Sequence, residues 1–129
     1  MADGGLRILL VDDDSDTQDI FALVVASHGG QLVAVKDAES ALNYLESHRP
    51  DIVVIDLYLD EVDGYQILEL IRQSPFDPRC PIVATTAYHT TMTKSLSLLS
   101  GFDGHLEKPL SVNDLWAYFE ELTLHARNE

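Results

Sequence analysis

Five residues of this sequence have side chains suited to chemistry, and they lie at the ends of short, mostly apolar runs. They are Asp12, Asp13, Asp56, Thr86 and Lys108. If the apolar runs are parallel strands of one open sheet, the residues that follow them meet at its carboxyl edge, where such sheets place their working sites. We therefore expect three carboxylates, a hydroxyl and an amine to share one site.

The chemistry of this set favours a cation and an anion together. The three carboxylates would repel one another and raise one another's pKa values unless a cation lay between them. Oxygen ligands point to a hard ion, and a site with few protein ligands and retained waters suits Mg²⁺, with Mn²⁺ as an alternative. Lys108 would either collapse onto the acids or hold an incoming anion. Metal, lysine and hydroxyl together would bind a phosphoryl group, with Asp56 placed as the nucleophile.

The elements that must position these residues follow from the hydrophobic pattern. Short apolar runs alternate with amphipathic segments, which is typical of a parallel sheet covered by helices on both faces. Strands are predicted at Ile8–Val11, Gln31–Val35, Asp51–Asp56, Ile82–Thr85 and His105–Glu107. Helices are predicted at about Asp16–Ser27, Asp37–Glu46, Gly64–Gln73, Met92–Leu99 and Ser111–Leu122. The last starts with Ser111 and Asp114, a pair that resembles a capping box. The fold class is α/β, a doubly wound five-stranded parallel sheet of flavodoxin-like order 2-1-3-4-5.

Length and composition indicate one domain. The 129 residues suffice for a single hydrophobic core, with residues 1–5 expected as a disordered lead-in, 6–122 as the domain and 123–129 as a C-terminal tail. The single cysteine, Cys80, excludes a disulfide framework and fits a reducing cytoplasm. No apolar run approaches the roughly 20 residues that cross a bilayer. We expect a cytoplasmic protein with no membrane association.

The charge is strongly acidic. Eight basic side chains stand against 22 acidic ones, a net charge of −14. Such a surface repels nucleic acid, so direct binding to DNA or RNA is disfavoured. The acidity has two interpretations that composition does not separate: it keeps the protein soluble, or some of the acids converge on a cation.

At these residues the sequence closely resembles the receiver domain of two-component response regulators, from Leu6 to about Leu122. The resemblance rests on Val11-Asp12-Asp13, on Asp56 with Asp63-Gly64, on Thr86-Ala87 and on Lys108-Pro109. Each motif alone is weak, but all four in this order are very specific.

The resemblance implies a role for each site residue. Asp56 would accept a phosphoryl group from a phosphohistidine, beside Mg²⁺ held by Asp13, by Asp12 mainly through water, by Asp56 and by the backbone carbonyl of Tyr58. Lys108 would pair with the phosphoryl oxygens. Thr86 and the ring at His105 would switch conformation together, and Pro109 would follow a cis peptide bond that aims Lys108 into the site.

Three departures from the family pattern bear on these roles. Leu59-Asp60 replaces the common Met-Pro, position 105 is a histidine that can ionise near neutral pH, and Tyr88 is bulky. We hypothesise that Tyr58 and Tyr88 shield the acyl phosphate from water and lengthen its lifetime.

The implied partners are a histidine kinase or histidine phosphotransfer protein and a downstream effector. The effector would bind the face made by the fourth helix, the fifth strand and the last helix. Nothing after Leu122 predicts an effector domain, so the chain is expected to be a stand-alone regulator or a piece of a longer regulator or hybrid kinase. The oligomeric state stays open, including a dimer that forms on phosphorylation.

Three rival functions agree less well with these residues. A haloacid-dehalogenase-type phosphatase needs Thr or Val where Asp16 stands, and it leaves Asp56 unexplained. A calcium-binding loop fails because its glycine position is Thr17 and its terminal glutamate position is Leu23. A receiver-like module that only mediates contacts is disfavoured by the complete set of site residues.

Overall fold

The structure is a computed structural model that describes residues 5–59, 62–87, 91–108 and 110–127. Strands and helices alternate along these residues. They are β1 (Arg7–Val11), α1 (Ser15–Ser27), β2 (Gln31–Val35), α2 (Ala38–Leu45), β3 (Ile52–Asp56), α3 (Gly64–Gln73), β4 (Ile82–Thr86), α4 (Thr91–Leu99), β5 (Gly104–Glu107) and α5 (Val112–Arg127). The five strands form one parallel sheet of order β2-β1-β3-β4-β5, which confirms the predicted fold class and strand order.

The central strands are apolar because both of their faces are covered. All five residues of β3 and all five of β4 are buried. Since side chains alternate across a strand, Val53 and Ile55 pack with α2 and α3, whereas Ile52 and Val54 pack with α1 and α5. We call these two sides of the sheet the α2–α3 face and the α1–α5 face.

The residues that cap the helices are not Asp12 or Asp13. Asp14 caps α1, accepting from the Asp16 N–H at 3.3 Å and from the Thr17 hydroxyl at 2.7 Å. Asp12 and Asp13 are therefore not needed as caps. Asp63 caps α3 in a reciprocal capping box with Gln66.

The end of the chain differs from the expected arrangement. Helix α5 continues to Arg127, so residues 123–127, predicted as a tail, are helical. Thr123 is buried, so the turn that contains it packs against the domain, and its hydroxyl donates to the Phe119 carbonyl of the same helix at 3.1 Å. At the start of α5, the Ser111 hydroxyl donates to the Asp114 carboxylate at 3.0 Å. This contact joins two side chains, whereas a capping box joins each side chain to a backbone N–H.

Three residues singled out in the sequence lie outside the described residues, namely Asp60, Tyr88 and Pro109. Among the helices that are described, none is both long and apolar enough to span a membrane.

Candidate functional site

The carboxyl edge of the sheet brings Asp12, Asp56 and Lys108 together. The Lys108 Nζ atom lies 2.9 Å from Asp12 Oδ2 and 3.5 Å from Asp56 Oδ2. These residues follow or end β1, β3 and β5 with the same side-chain alternation, so all three fall on the α1–α5 side of the edge. The predicted meeting of strand ends is confirmed for this set.

Asp12 is the most firmly held of the acids. Its side chain is 0% exposed, and its Oδ1 accepts the Asp14 N–H at 2.9 Å. Its backbone N–H donates to the Val35 carbonyl at 2.9 Å, and its own carbonyl accepts from Gln18 Nε2 at 2.7 Å. Sequence reasoning missed Gln18, although its place one turn into α1 puts it above the end of β1.

Asp13 completes an acidic cluster. One carboxylate oxygen from each of Asp12, Asp13 and Asp56 lies within 4.8 Å of the others. Asp13 is exposed, whereas the other two acids are buried. Three carboxylates face one ammonium group, which leaves two negative charges for a divalent ion to balance. Hard oxygen ligands with one side open to water suit Mg²⁺, so the residues present fit the expected metal.

Asp56 sits where its negative charge is disfavoured. Only 6% of the residue is exposed. Burial raises the pKa of its carboxyl, and the negative charge of Asp12 raises it further, while the Tyr58 N–H and Lys108 act in the opposite direction. The Tyr58 N–H donates to Asp56 Oδ1 at 3.2 Å. A positive ion beside Asp56 would relieve this unfavourable charge.

Lys108 is the counter-charge of the site. Burial by itself would lower the pKa of the ammonium group, but the hydrogen bond and charge of Asp12, together with the charge of Asp56, outweigh burial and raise it. Lys108 is therefore charged throughout the physiological range. Its backbone N–H donates to the Thr86 carbonyl at 2.9 Å, which ties the end of β5 to the end of β4.

The connection after β3 requires a glycine. A Cβ atom at Gly64 would lie 2.6 Å from the Asp56 carbonyl oxygen and 2.8 Å from Leu57 Cα. The Gly64 N–H also donates to the Leu57 carbonyl at 2.9 Å. Helix α3 thus begins in direct contact with the backbone of Asp56. This close approach is the physical reason for the Asp63-Gly64 pair noted in the sequence.

Thr86 and His105 share the opposite face of the sheet. Thr86 is fully buried and lies two residues beyond Ala84, whose side chain packs on the α2–α3 face. His105 pairs with Ala84 across the β4–β5 ladder, so its ring is directed to that face too. The His105 Nδ1 atom lies 3.0 Å from the hydroxyl of Ser97 in α4. These two residues therefore lie on one face of the sheet, opposite to the face that carries the Asp12–Lys108 ion pair.

Tyr58 is placed at the opening of the site. Its side chain is exposed, and its N–H is engaged with Asp56 as described. The metal-ligand role expected for its carbonyl stays a prediction, as does the shielding role of its ring.

Comparison with known proteins agrees with this geometry. A family described as the response regulator receiver domain matches residues 8–120. An uncharacterized 14.6 kDa protein of Leptolyngbya boryana is 33% identical over 110 residues, covering 85% of this chain and 84% of that protein. The DNA-binding response regulator MtrA of Mycolicibacterium paratuberculosis is 33% identical over 111 residues, which cover 86% of this chain and 48% of MtrA. This chain therefore spans about half the length of that relative.

A solved structure with a similar fold is also known. The receiver domain of the sensor histidine kinase PA1611 from Pseudomonas aeruginosa PAO1, with a magnesium ion coordinated in its active site cleft, superimposes with a TM-score of 0.81. It is 28% identical in sequence, and the match covers 93% of this chain and 98% of that one.

Proposed function

This chain belongs to the response regulator receiver domain family, and from that premise we propose that Asp56 is the residue that accepts the phosphoryl group. The family gives the chain a signalling role. The observation that carries the proposal is the place of Asp56, buried at the end of the central strand between an acidic cluster and the ammonium group of Lys108. With Mg²⁺ in the acidic cluster, Asp56 would have a cation on each side, and such a nucleophile is suited to attack a negatively charged phosphoryl group.

The proposed reaction transfers the group from nitrogen to oxygen. An oxygen of the Asp56 carboxylate attacks the phosphorus of a phosphohistidine on a partner protein. The P–N bond breaks as the P–O bond forms, and the leaving imidazole nitrogen takes up a proton. The ammonium group of Lys108 moves from Asp12 towards the new phosphoryl oxygens, since its Nζ atom lies within reach of the Asp12 and Asp56 carboxylates. Hydrolysis of the acyl phosphate later resets the domain.

Mg²⁺ would be held by Asp12, Asp13, Asp56 and the backbone carbonyl of Tyr58. When bound, the ion neutralises charge on the carboxylates and on the phosphoryl oxygens. The fit rests on the cluster of three acids and on the raised pKa of Asp56, whose burial and closeness to Asp12 make a nearby cation favourable.

Thr86 and His105 are proposed to carry the conformational response. Both lie on the α2–α3 face beside α4, and α4 exposes three leucines, Leu96, Leu98 and Leu99, the last to 86%. An apolar helix surface next to the switch residues supports the α4–β5–α5 face as the surface for an effector. Tyr58 and Tyr88 are proposed to limit access of water to the acyl phosphate.

The proposed partners and setting follow from the family. A histidine kinase or histidine phosphotransfer protein would supply the phosphoryl group in the cytoplasm, and an effector or a second copy would respond. The MtrA relative carries a further half that this chain does not match, so the output of the whole protein is open to experiment.

The test is labelling by a small phosphodonor. Incubation with Mg²⁺ and acetyl phosphate should add the mass of one phosphoryl group, and Asp56→Asn should abolish the gain. Asp51→Asn is the matched control, because Asp51 flanks the same strand at its opposite end. If Asp51→Asn is fully labelled and Asp56→Asn is not labelled at all, Asp56 is the acceptor.

Two other results would point to the rival functions. Absence of labelling in the wild-type protein would favour a module that only mediates contacts. Continuous release of phosphate from many phosphate monoesters would favour a phosphatase.

A further inference from the structure

A buried serine in α4 holds the ring of His105. Ser97 is 0% exposed, although Leu96 and Leu98 beside it are exposed. Its Oγ lies 2.9 Å from the Lys94 carbonyl oxygen and 3.0 Å from His105 Nδ1. The hydroxyl therefore lies between a helix carbonyl and an imidazole nitrogen.

The hydrogen-bonding capacities of the three groups allow one arrangement that makes both contacts hydrogen bonds. A carbonyl oxygen only accepts, so the contact with Lys94 uses the one hydroxyl proton of Ser97. The contact with His105 then needs a proton on Nδ1, which donates to the Ser97 oxygen. In this arrangement His105 carries its proton on Nδ1. Free histidine favours the other neutral tautomer, so the serine imposes a measurable choice.

The backbone of His105 is held from the other side of the sheet. The hydroxyl of Tyr118 in α5 is close to the backbone of His105: burial raises the pKa of that hydroxyl, and the His105 N–H acts in the opposite direction. That hydroxyl lies directly over Gly104, where a Cβ atom would collide with it. The strand is thus fixed by α5, and the ring of His105 is the part that a change in α4 or Thr86 can move.

We propose that Ser97 is a positioning residue that keeps the His105 ring against α4 in the unphosphorylated domain, and that phosphorylation of Asp56 releases this hydrogen bond. The inference rests on the proposed function and extends it, because it names the α4 group through which the ring acts. Ser97 connects the α2–α3 face of the sheet to the helix that carries the exposed leucines.

The hydrogen bond between Ser97 and His105 stabilises one of the two positions of the ring. A buried serine oxygen that loses its donor is left unsatisfied, so the bond favours the unphosphorylated position of the ring. Removing the hydroxyl should shift the domain towards the switched conformation. Ligands that require that conformation should then bind roughly threefold to tenfold more tightly, since less of their binding free energy goes into the conversion.

The first measurement is a long-range ¹H–¹⁵N NMR spectrum of the histidine rings, with His105 assigned by comparison with His105→Phe. The wild-type ring should show a protonated Nδ1. Ser97→Ala should move the neutral ring towards the Nε2–H tautomer, and Ser97→Thr, which keeps a hydroxyl, should restore the wild-type pattern. An unprotonated Nδ1 in the wild-type protein would overturn the proposal without any variant.

The second measurement is titration with beryllofluoride and Mg²⁺, a stable mimic of the acyl phosphate. Ser97→Ala should bind roughly threefold to tenfold more tightly than wild type. Ser100→Ala is the matched control, because the Ser100 hydroxyl donates to the Leu96 carbonyl at 2.7 Å on an exposed part of the helix. That control should leave both the ring spectrum and the affinity unchanged.

The outcomes separate the two ideas. If beryllofluoride binds the wild type and Ser97→Ala equally, the role of Ser97 is wrong while the proposed function stands. If beryllofluoride does not bind the wild type and acetyl phosphate does not label it, the proposed function fails and the inference fails with it.

Discussion

At the scale of single residues, the site depends on one lysine that neutralises a fully buried acid. Asp12 has no exposure to water, and the Lys108 ammonium group at 2.9 Å is its charged partner. Removal of one member of a buried ion pair leaves the other with an uncompensated charge, which costs far more than the pair contributes. The stability of the domain should therefore depend on Lys108 and on whatever cation takes its place.

We expect Lys108→Met to lower the free energy of unfolding by about 3 kcal/mol in the absence of divalent ions. Millimolar Mg²⁺ should recover a large part of the loss, because the ion supplies the missing positive charge. Urea unfolding with and without Mg²⁺ measures the loss of unfolding free energy and its recovery by the ion. Lys94→Ala, an exposed lysine in α4, should change neither. A loss that Mg²⁺ does not reduce would contradict the electrostatic explanation.

Asp56 has the opposite effect on stability. Because folding raises the pKa of its carboxyl above the usual 3.8, the folded state binds more protons than the unfolded state in the interval between the two values. Stability therefore falls as pH rises through that interval, and the loss persists at neutral pH.

Asp56→Asn should accordingly raise the unfolding temperature of the metal-free protein at neutral pH, because the amide has no charge to bury. The gain should disappear as the pH falls towards 4, and it can be followed by calorimetry in the presence of a chelator. Destabilisation at neutral pH would mean that the hydrogen bond from the Tyr58 N–H outweighs the burial of charge.

At the scale of elements, the start of α3 and the end of β3 form one unit. Gly64→Ala should cost about 1–3 kcal/mol, since the new methyl group meets the Asp56 carbonyl and the Leu57 Cα. Labelling by acetyl phosphate should fall as well, because the acceptor moves with its backbone. Gly30→Ala is the control: its Cβ would meet the Leu6 carbonyl and the Trp116 ring, at the opposite end of the sheet. That variant should lose stability yet keep its labelling rate.

The short helix α2 should carry a pH-dependent cap. Hydrogen bonds from Ser40 lower the pKa of Asp37, which caps this helix. The stabilisation is present above the usual value of 3.8 and is lost as pH falls through the lowered value. Asp37→Ala should therefore lower the unfolding temperature at neutral pH and have less effect in acid. Asp37→Asn keeps an acceptor that does not titrate, so its difference from Asp37→Ala should not vary with pH.

The elements were predictable from sequence because their signals are local. The β-branched run predicts the bounds of β3, and the cap at Asp63 predicts the start of α3, each within about one residue. The extension of α5 to Arg127 was missed because the prediction stopped where the resemblance ended at Leu122, not at a helix-breaking residue. Ser97 was missed for a different reason. In a helix that also contains Ser95 and Ser100, it looks like one more exposed serine until the fold places it against His105.

At the scale of the whole molecule, a net charge of −14 makes the folded state repel itself. Raising NaCl from about 10 mM to about 150 mM shortens the screening length from roughly 30 Å to 8 Å and should raise the unfolding temperature. Mg²⁺ at matched ionic strength should stabilise further, because it binds the acidic cluster as well as screening charge. The additional stabilisation by Mg²⁺ should vanish in Asp13→Asn. An equal effect of NaCl and the Mg²⁺ salt on the wild type would argue against a specific site.

The division of residues between the two faces of the sheet affects where partner proteins can bind. Asp56 and Lys108 belong to the α1–α5 side of the edge, whereas Thr86, His105 and Ser97 belong to the side that α4 covers. The phosphoryl acceptor and α4 therefore lie on different sides of the sheet. Under the proposed function, a responding protein that contacts α4 alone would leave the edge that carries Asp56 open to a phosphodonor.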